Sequence, residues 1–444
     1  MIDRFVLKHM SSFRIILAGF LAIILAGTVL LMLPVSGRSG AHAAFSDALF
    51  TATSAVCVTG LVVADTASRW SGFGQAVILL LIQIGGLGIV CVAAFIAAVA
   101  GRKISVLQRT MLQESISAPQ VGGVVRLTVL IFGVALISET AGAAVMLPKF
   151  CSAYGPRGIW MAVFHSVSAF CNAGFDIMGT AEGEFSSLTR FAGDPGIVLP
   201  VCLLIVVGGI GFLTWEDVAA HGLHLKRYRM QSKVILSAAA VLILVPGCAF
   251  FFNDFAAYPL KERLCLSLFQ AVTPRTAGFN TADLNSMTSA GRAITIVLML
   301  IGGAPGSAAG GMKTTTIAVL LANSGAVFRR RKNPQMFGRR IDEYTVKCAS
   351  TLLMLYLFLA LSGAFILSAA EGLPFETCLF ETASAIGTVG LSLGITPVLG
   401  AVSRLTLILL MFFGRVGGLT MMFAAVNGCG MEVGRCPAEK IAVG

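Results

Sequence analysis

The sequence predicts an all-α polytopic membrane protein, built as four membrane-helix/pore-helix/membrane-helix repeats with eight spans around one central pore. Three observations predict it. Only 12% of the 444 residues are charged, 57% are hydrophobic and the mean hydropathy is +0.88, whereas a water-facing domain carries about 25% charge. Eight apolar runs approach or exceed the ~20 residues that cross a hydrocarbon core. Between each odd run and the following even one lies a shorter apolar segment ending in a small-residue turn, and the four turns can be overlaid.

The spans follow in order at residues 15–33, 77–100, 124–147, 196–214, 234–252, 293–325, 348–370 and 402–428. The first follows Arg4, Lys8 and Arg14 and precedes Ala41-His42-Ala43, as in a secretory signal, but its apolar core exceeds the ~7–15 residues typical of one. Eight spans put both termini on one side. Most lysines and arginines fall on that side, including Arg102, Lys103, Arg109, Arg126, Lys226, Arg227, Arg229, Lys233, the cluster from Arg329 to Lys347, and Arg435 and Lys440. By the positive-inside rule both termini are cytoplasmic.

The net charge of +11 is then accounted for by that bias and by attraction to anionic membrane lipid, with no nucleic acid partner implied. The eleven cysteines form no Cys-x-x-Cys pair; they read as apolar fillers or reduced thiols, not a disulfide frame or metal site.

The four turns are Ser54-Ala-Val-Cys-Val-Thr-Gly60-Leu61, Ser168-Ala-Phe-Cys-Asn-Ala-Gly174-Phe175, Val272-Thr-Pro-Arg-Thr-Ala-Gly278-Phe279 and Ser384-Ala-Ile-Gly-Thr-Val-Gly390-Leu391. Their glycines are 114, 104 and 112 residues apart, near a quarter of the chain, which marks an internal repeat. The predicted units are 1–115, 116–230, 231–340 and 341–428, with a cytoplasmic tail at 429–444. Non-helical backbone at membrane depth is tolerated only where it is buried in protein or lines a water-filled cavity. Four such turns about a pseudo-fourfold axis would surround a pore with carbonyls that replace an ion's hydration shell. The short helices would aim their negative carboxyl ends at it. The expected substrate is a dehydrated monovalent cation; the alternative is that the glycines are close-packing points between helices.

At these residues the sequence resembles the Trk/Ktr/HKT superfamily of potassium transporters, most closely the KtrB-type bacterial membrane subunit. The resemblance runs through 50–65, 168–176, 273–280 and 387–397, through Leu81-Ile-Gln-Ile-Gly-Gly-Leu-Gly88 and through Glu439-Lys-Ile-Ala-Val-Gly444, nearly the whole chain. It implies a selectivity filter coordinating K+ mainly through backbone carbonyls, formed by Val58, Thr59 and Gly60, by Asn172, Ala173 and Gly174, by Thr276, Ala277 and Gly278, and by Thr388, Val389 and Gly390. A glycine at the position of Gly60 goes with potassium in that superfamily, and serine with sodium. The resemblance further implies a homodimer in the bacterial cell membrane with one pore per protomer. It would rest on a KtrA-type cytoplasmic ring of nucleotide-binding regulatory subunits that binds ATP/ADP or NAD. The expected contact surface is the basic loops around Lys226 and Arg329 to Arg340, with the tail. No cofactor is expected on this chain; sodium as an activating or coupled ion stays open, as does ion-coupled alternating access.

The sixth run is interrupted by Gly302-Gly-Ala-Pro-Gly-Ser-Ala-Ala-Gly-Gly-Met-Lys313, which should break it into two half-helices joined by a loop inside the membrane. That loop, with Gly303, Gly306, Gly310, Gly311 and Lys313, is the predicted gate. Arg415, costly at membrane depth, should face protein or water, and the resemblance gives it the role of an electrostatic barrier near the gate. Alternatives are snorkelling or pairing with an acid such as Glu139, itself readable as an ion relay or a structural hydrogen-bond partner. Asp47, Glu376 and Glu381 read as helix-start and packing acids, and Asp65, Asp176 and Asp283 as residues of the outer vestibule or of solvated loops.

Two enzyme-like patterns fail on context. Gly306 to Thr314 resembles a phosphate loop, but Met312 separates glycine from lysine and no strand precedes it. Gly390-Leu-Ser392-Leu-Gly394 fits a nucleophile elbow without a strand or a triad histidine. No enzyme is expected.

Overall fold

A computed structural model describes residues 12–418, apart from 41, 103, 117–119 and 121. The tail at 429–444, the end of the last span, and Arg4, Lys8, Lys103, Arg435 and Lys440 lie outside the described residues.

The helices fall into four similar series. The first contains α1 (Ser12–Met32), α2 (Phe45–Val56), α3 (Gly72–Leu87) and α4 (Ile89–Val99), followed by a connecting helix α5 (Val106–Ile116). The second contains α6 (Val124–Tyr154), α7 (Arg157–Phe170), α8 (Pro195–Gly209) and α9 (Phe212–His221). The third contains α10 (Met230–Phe252), α11 (Leu260–Val272), α12 (Ser289–Leu300) and α13 (Thr314–Phe328); the fourth, α14 (Glu343–Glu371), α15 (Phe375–Gly387) and α16 (Ala401–Val416). In each series the long first helix packs along the short second one. Each of those short helices buries at least one phenylalanine, Phe50, Phe164 with Phe170, Phe269 and Phe380, which anchors it against its neighbours in an apolar core.

Four helices, at Arg14–Met32, Val124–Tyr154, Met230–Phe252 and Glu343–Glu371, are long and apolar enough to cross a membrane unbroken. The second and fourth runs differ from the straight spans expected of them, whereas the sixth is broken in two as the sequence predicts. The α3/α4 pair bends by 94° and the α8/α9 pair by 97°, and α12 and α13 are separate short helices. The cause of the first two bends is a glycine. Gly88 has φ 89° and ψ 132°, Gly211 φ 91° and ψ 146°, and Gly417, ending α16, φ 92° and ψ 136°. A side chain strongly disfavours this conformation, so the helix turns there and nowhere else nearby.

Among the described residues one strand pair stands beside the helices. In the basic connection after α13, β1 (Gln335–Met336) pairs antiparallel with β2 (Arg339–Arg340). The hairpin turns through Phe337 and Gly338, both at positive φ, as a two-residue turn between twisted strands requires. The nine described cysteines are all free.

Candidate functional site: a ring of four turns above an intramembrane loop

The helices α2, α7, α11 and α15 all end at the same kind of turn. Two residues before each overlaid glycine, a residue with a side chain takes the left-handed conformation: Val58 (φ 56°), Asn172 (57°), Thr276 (68°) and Thr388 (51°). The glycines follow at φ 90°, 66°, 77° and 93°. Left-handed backbone at non-glycine residues costs energy and persists where surrounding structure holds it. Hydroxyl side chains do the holding: Ser54 Oγ accepts from Gly60 N at 3.0 Å and Ser384 Oγ from Gly390 N at 3.0 Å. Ser168 Oγ donates to Phe175 O at 2.8 Å and Thr273 Oγ1 to Phe279 O at 2.7 Å.

The third turn corrects the overlay of the sequences. There Val272 stands opposite the serines, but the anchoring hydroxyl belongs to Thr273, one residue later. Pro274 has no N–H to continue the helix, so α11 ends at Val272 with Thr273, still in right-handed α geometry, as its cap. The remaining turn is one residue tighter, with Ala277 N bonding to Thr273 O where Thr59 N reaches back five residues to Ser54 O.

The four turns close on one another. A Cβ placed on Gly60 would stand 2.5 Å from Ala173 O, and one on Gly174 2.5 Å from Ala277 O. On Gly278 it would run into Val389 O, and on Gly390 into Thr59 O. The order first to second, second to third, third to fourth, fourth to first is a closed ring with a carbonyl and a glycine at each joint. On one side the ring faces a cavity of about 510 Å³ lined by Gly60, Gly174, Gly278, Asp176, Asp283 and Ser392 among others. Asp176 and Asp283, expected in a vestibule or in solvated loops, both line this cavity. Asp65 does not: it is buried, caps the short helix Thr66–Arg69 by accepting from Ser68 N at 2.8 Å, and also accepts from Phe185 N at 3.3 Å.

On the other side lies the loop from Ile301 to Lys313, between α12 and α13. It bonds to the second-span helices of the second and fourth series. Ala304 N donates to Gly209 O at 3.0 Å, Ala308 N to Gly208 O at 3.2 Å and Gly311 N to Gly414 O at 3.2 Å. Gly310 abuts the Thr388 side chain and Gly311 the Gly387 carbonyl, so both sit directly against the fourth turn. Gly303 packs on Ala309 within the loop, and Gly306 on Ile116 O of α5. Lys313 Nζ folds back onto Ala309 O at 2.8 Å. Arg415 donates to Ala308 O, to Gly85 O and, at 3.0 Å, to Gly86 O, tying the loop to α3. A second cavity of about 240 Å³ on this side is lined by Gly306, Ser307, Lys313 and Arg415 among others.

Arg415 has no acid partner among the described residues. Glu139 instead accepts from Gln83 Nε2 at 2.9 Å. Asp47 and Glu376 begin short helices, as expected, and pair with Arg404 and Arg292. Glu381 is buried and accepts from Ser392 Oγ at 3.0 Å and from Thr396 Oγ1, which ties up the serine of the elbow-like pattern.

Sequence reading missed a second set of glycines. Gly85, Gly208 and Gly414 each press against the last carbonyls of a short helix, those of Val56, Phe170 and Ile386. Each precedes a bend glycine by three residues, Gly88, Gly211 and Gly417. That spacing recurs in the sequence and was the available signal.

A closed ring of re-entrant turns set among apolar helices, with a cavity on each side, defines a multi-pass membrane protein that transports cations. The chain belongs to the family described as "TrkH: Cation transport protein", whose model matches residues 4–428. It is 40% identical to the potassium/sodium uptake protein NtpJ of Enterococcus hirae, covering 94% of this chain and 93% of that one. It is 37% identical to the Ktr system potassium uptake protein B of Bacillus subtilis, covering 93% and 92%. It is 34% identical to the protein of the same name from Vibrio alginolyticus, covering 92% and 90%. Its fold resembles the crystal structure of the potassium transporter TrkH from Vibrio parahaemolyticus, with a TM-score of 0.74 at 20% identity over 94% of this chain and 86% of that one.

Proposed function

We propose that this protein is the ion-translocating, pore-forming subunit of a Ktr/Trk-type potassium uptake system. The observation that carries the reading is the closed glycine-to-carbonyl ring, because it brings four short helices' carboxyl ends and four sets of turn carbonyls to one place. Such an arrangement stabilises a dehydrated cation. In this reading residues 58–60, 172–174, 276–278 and 388–390 form the filter, and the four units divide near residues 115, 230 and 340. The 301–313 loop with Lys313 and Arg415 is the gate: its hydrogen bonds to the second and fourth series hold it against the ring's underside, and two cations without acid partners among the described residues oppose passage there. Names of the relatives, potassium uptake and potassium/sodium uptake, support potassium as the substrate and leave sodium as a coupled or activating ion.

The Ktr relatives are named as parts of a system, in line with a homodimer on a cytoplasmic nucleotide-binding ring, docked on the basic connections at 226–233 and 329–340. In a bacterial plasma membrane the Asp176 cavity would face outward and both termini the cytoplasm.

The test is potassium and sodium flux into liposomes at matched potentials, for wild type and Gly60→Ser, with and without the cytoplasmic partner. Potassium-selective flux that loses selectivity in the variant is expected. Silence of wild type with the partner present overturns the pore, and flux that requires a co-ion gradient favours alternating access.

A further inference from the structure

Arg275 stands in the third turn, one residue before Thr276 of the ring. Its main-chain carbonyl accepts from Asn172 Nδ2 of the second turn at 3.2 Å, so its backbone is part of the joint between two turns. The residue is only 5% exposed. Among the described residues its guanidinium makes no hydrogen bond and has no carboxylate within 4 Å, and its Nε is buried without a partner. Water can solvate guanidinium nitrogens but cannot supply the opposite charge. The same position, three before the ring glycine, holds Cys57, Cys171 and Gly387 in the other turns. One quadrant of a ring that gathers negative helix ends and carbonyls therefore carries a full positive charge.

Burying an unpaired charge lowers stability, and apolar replacement of such a group is often neutral or stabilising. Among the described residues no side-chain partner explains the Arg275 guanidinium, whereas Arg415 and Lys313 are each bonded to loop carbonyls. A site that must release its ion needs binding weak enough to leave. We propose that Arg275 sets the cation affinity of the ring, its charge weakening occupancy so that a cation held there is released. At an effective dielectric constant of about 20, repulsion across about 10 Å corresponds to roughly tenfold in occupancy. The inference rests on the ring being the filter.

Potassium affinity can be read without opening the gate, from the thermal unfolding midpoint of the full-length protein in detergent as potassium chloride replaces choline chloride. Arg275→Met is expected to bind potassium roughly tenfold more tightly, with an unfolding midpoint in choline no lower than that of wild type. Arg275→Lys, which keeps the charge, is expected to bind as wild type. Arg275→Gln serves as the neutral variant should Arg275→Met not fold, with the same tightening expected. Unchanged affinity in the neutral variants, or an equal shift in Arg275→Lys, overturns the proposal, as does a fall of the midpoint in both neutral variants. A wild type whose midpoint ignores potassium tells against the filter itself, which separates that failure from failure of the Arg275 proposal.

Discussion

Arg404 Nη1 donates to Asp47 Oδ1 at 2.9 Å, joining residues 357 positions apart. Asp47 opens the short helix of the first series and Arg404 lies in the first turn of α16 in the fourth. Arg292, near the start of α12, pairs in the same way with Glu376 of the next series' short helix, at 3.1 Å. Each pair ties a short helix's amino end to the preceding series, and the Arg404–Asp47 pair closes the circle.

Asp47 and Arg404 side chains are 28% and 21% exposed, so solvent screens the pair in part. A double-mutant cycle with Asp47→Asn and Arg404→Gln is expected to give a coupling of about 1 kcal/mol in unfolding free energy, the upper end for partly exposed pairs. A coupling near zero would mean that the ring joints close the circle without this bridge.

At Gly208 a Cβ would run into the Phe170 carbonyl, which ends the short helix α7. Gly208→Ala is expected to destabilise the protein by about 1–3 kcal/mol, the usual cost of overpacking, and to reduce transport by displacing the second turn. Gly133→Ala, in α6 with nothing within 4 Å of the new methyl, serves as the control and should cost no stability. Thermal unfolding of the two variants side by side checks this.

Arg415 holds the loop to α3 through Ala308, Gly85 and Gly86. A hydrogen bond to a charged group contributes ~1.5–3 kcal/mol, and ~1.4 kcal/mol is tenfold in an equilibrium. Arg415→Gln is therefore expected to raise leak flux through the closed protein by about tenfold or more. Liposome flux in the absence of any activating nucleotide measures it, and an unchanged leak would remove Arg415 from the gate.

Asp176 lies outside the spanning helices, at the cavity beside the ring. Burial pushes its carboxyl up to about 7, helped by the nearby Asp65 charge and opposed by the Met178 N–H and the Ser187 side chain. The sign follows: the charged form, which would draw cations in, is present above that value and is lost as pH falls through it. Uptake at low potassium should drop as the pH on the cavity side goes from 8 to 6, and Asp176→Asn should be low and flat across the same range. A pH profile unaltered in the variant would assign the titration to another group.

The sequence alone determined the membrane class, the repeat and the ring glycines, because each is written in local chemistry. Apolar runs of spanning length, and glycine where a side chain cannot follow the backbone, need no distant partner to be read. Tertiary structure decided what lies across the joints. Which carbonyl each glycine meets, the pairing of Arg404 with Asp47 instead of a nearer acid, and the choice of Ala308, Gly85 and Gly86 over Glu139 for Arg415 depend on residues tens to hundreds of positions away. The bends at Gly88 and Gly211 looked like continuous apolar spans, since hydropathy does not register φ. Asp65 looked like a vestibule acid until the turn around it folded its carboxylate onto Ser68 and Phe185. Arg275 lies within a quoted motif, yet its burial without an opposite charge exists only once the third turn has closed against the second.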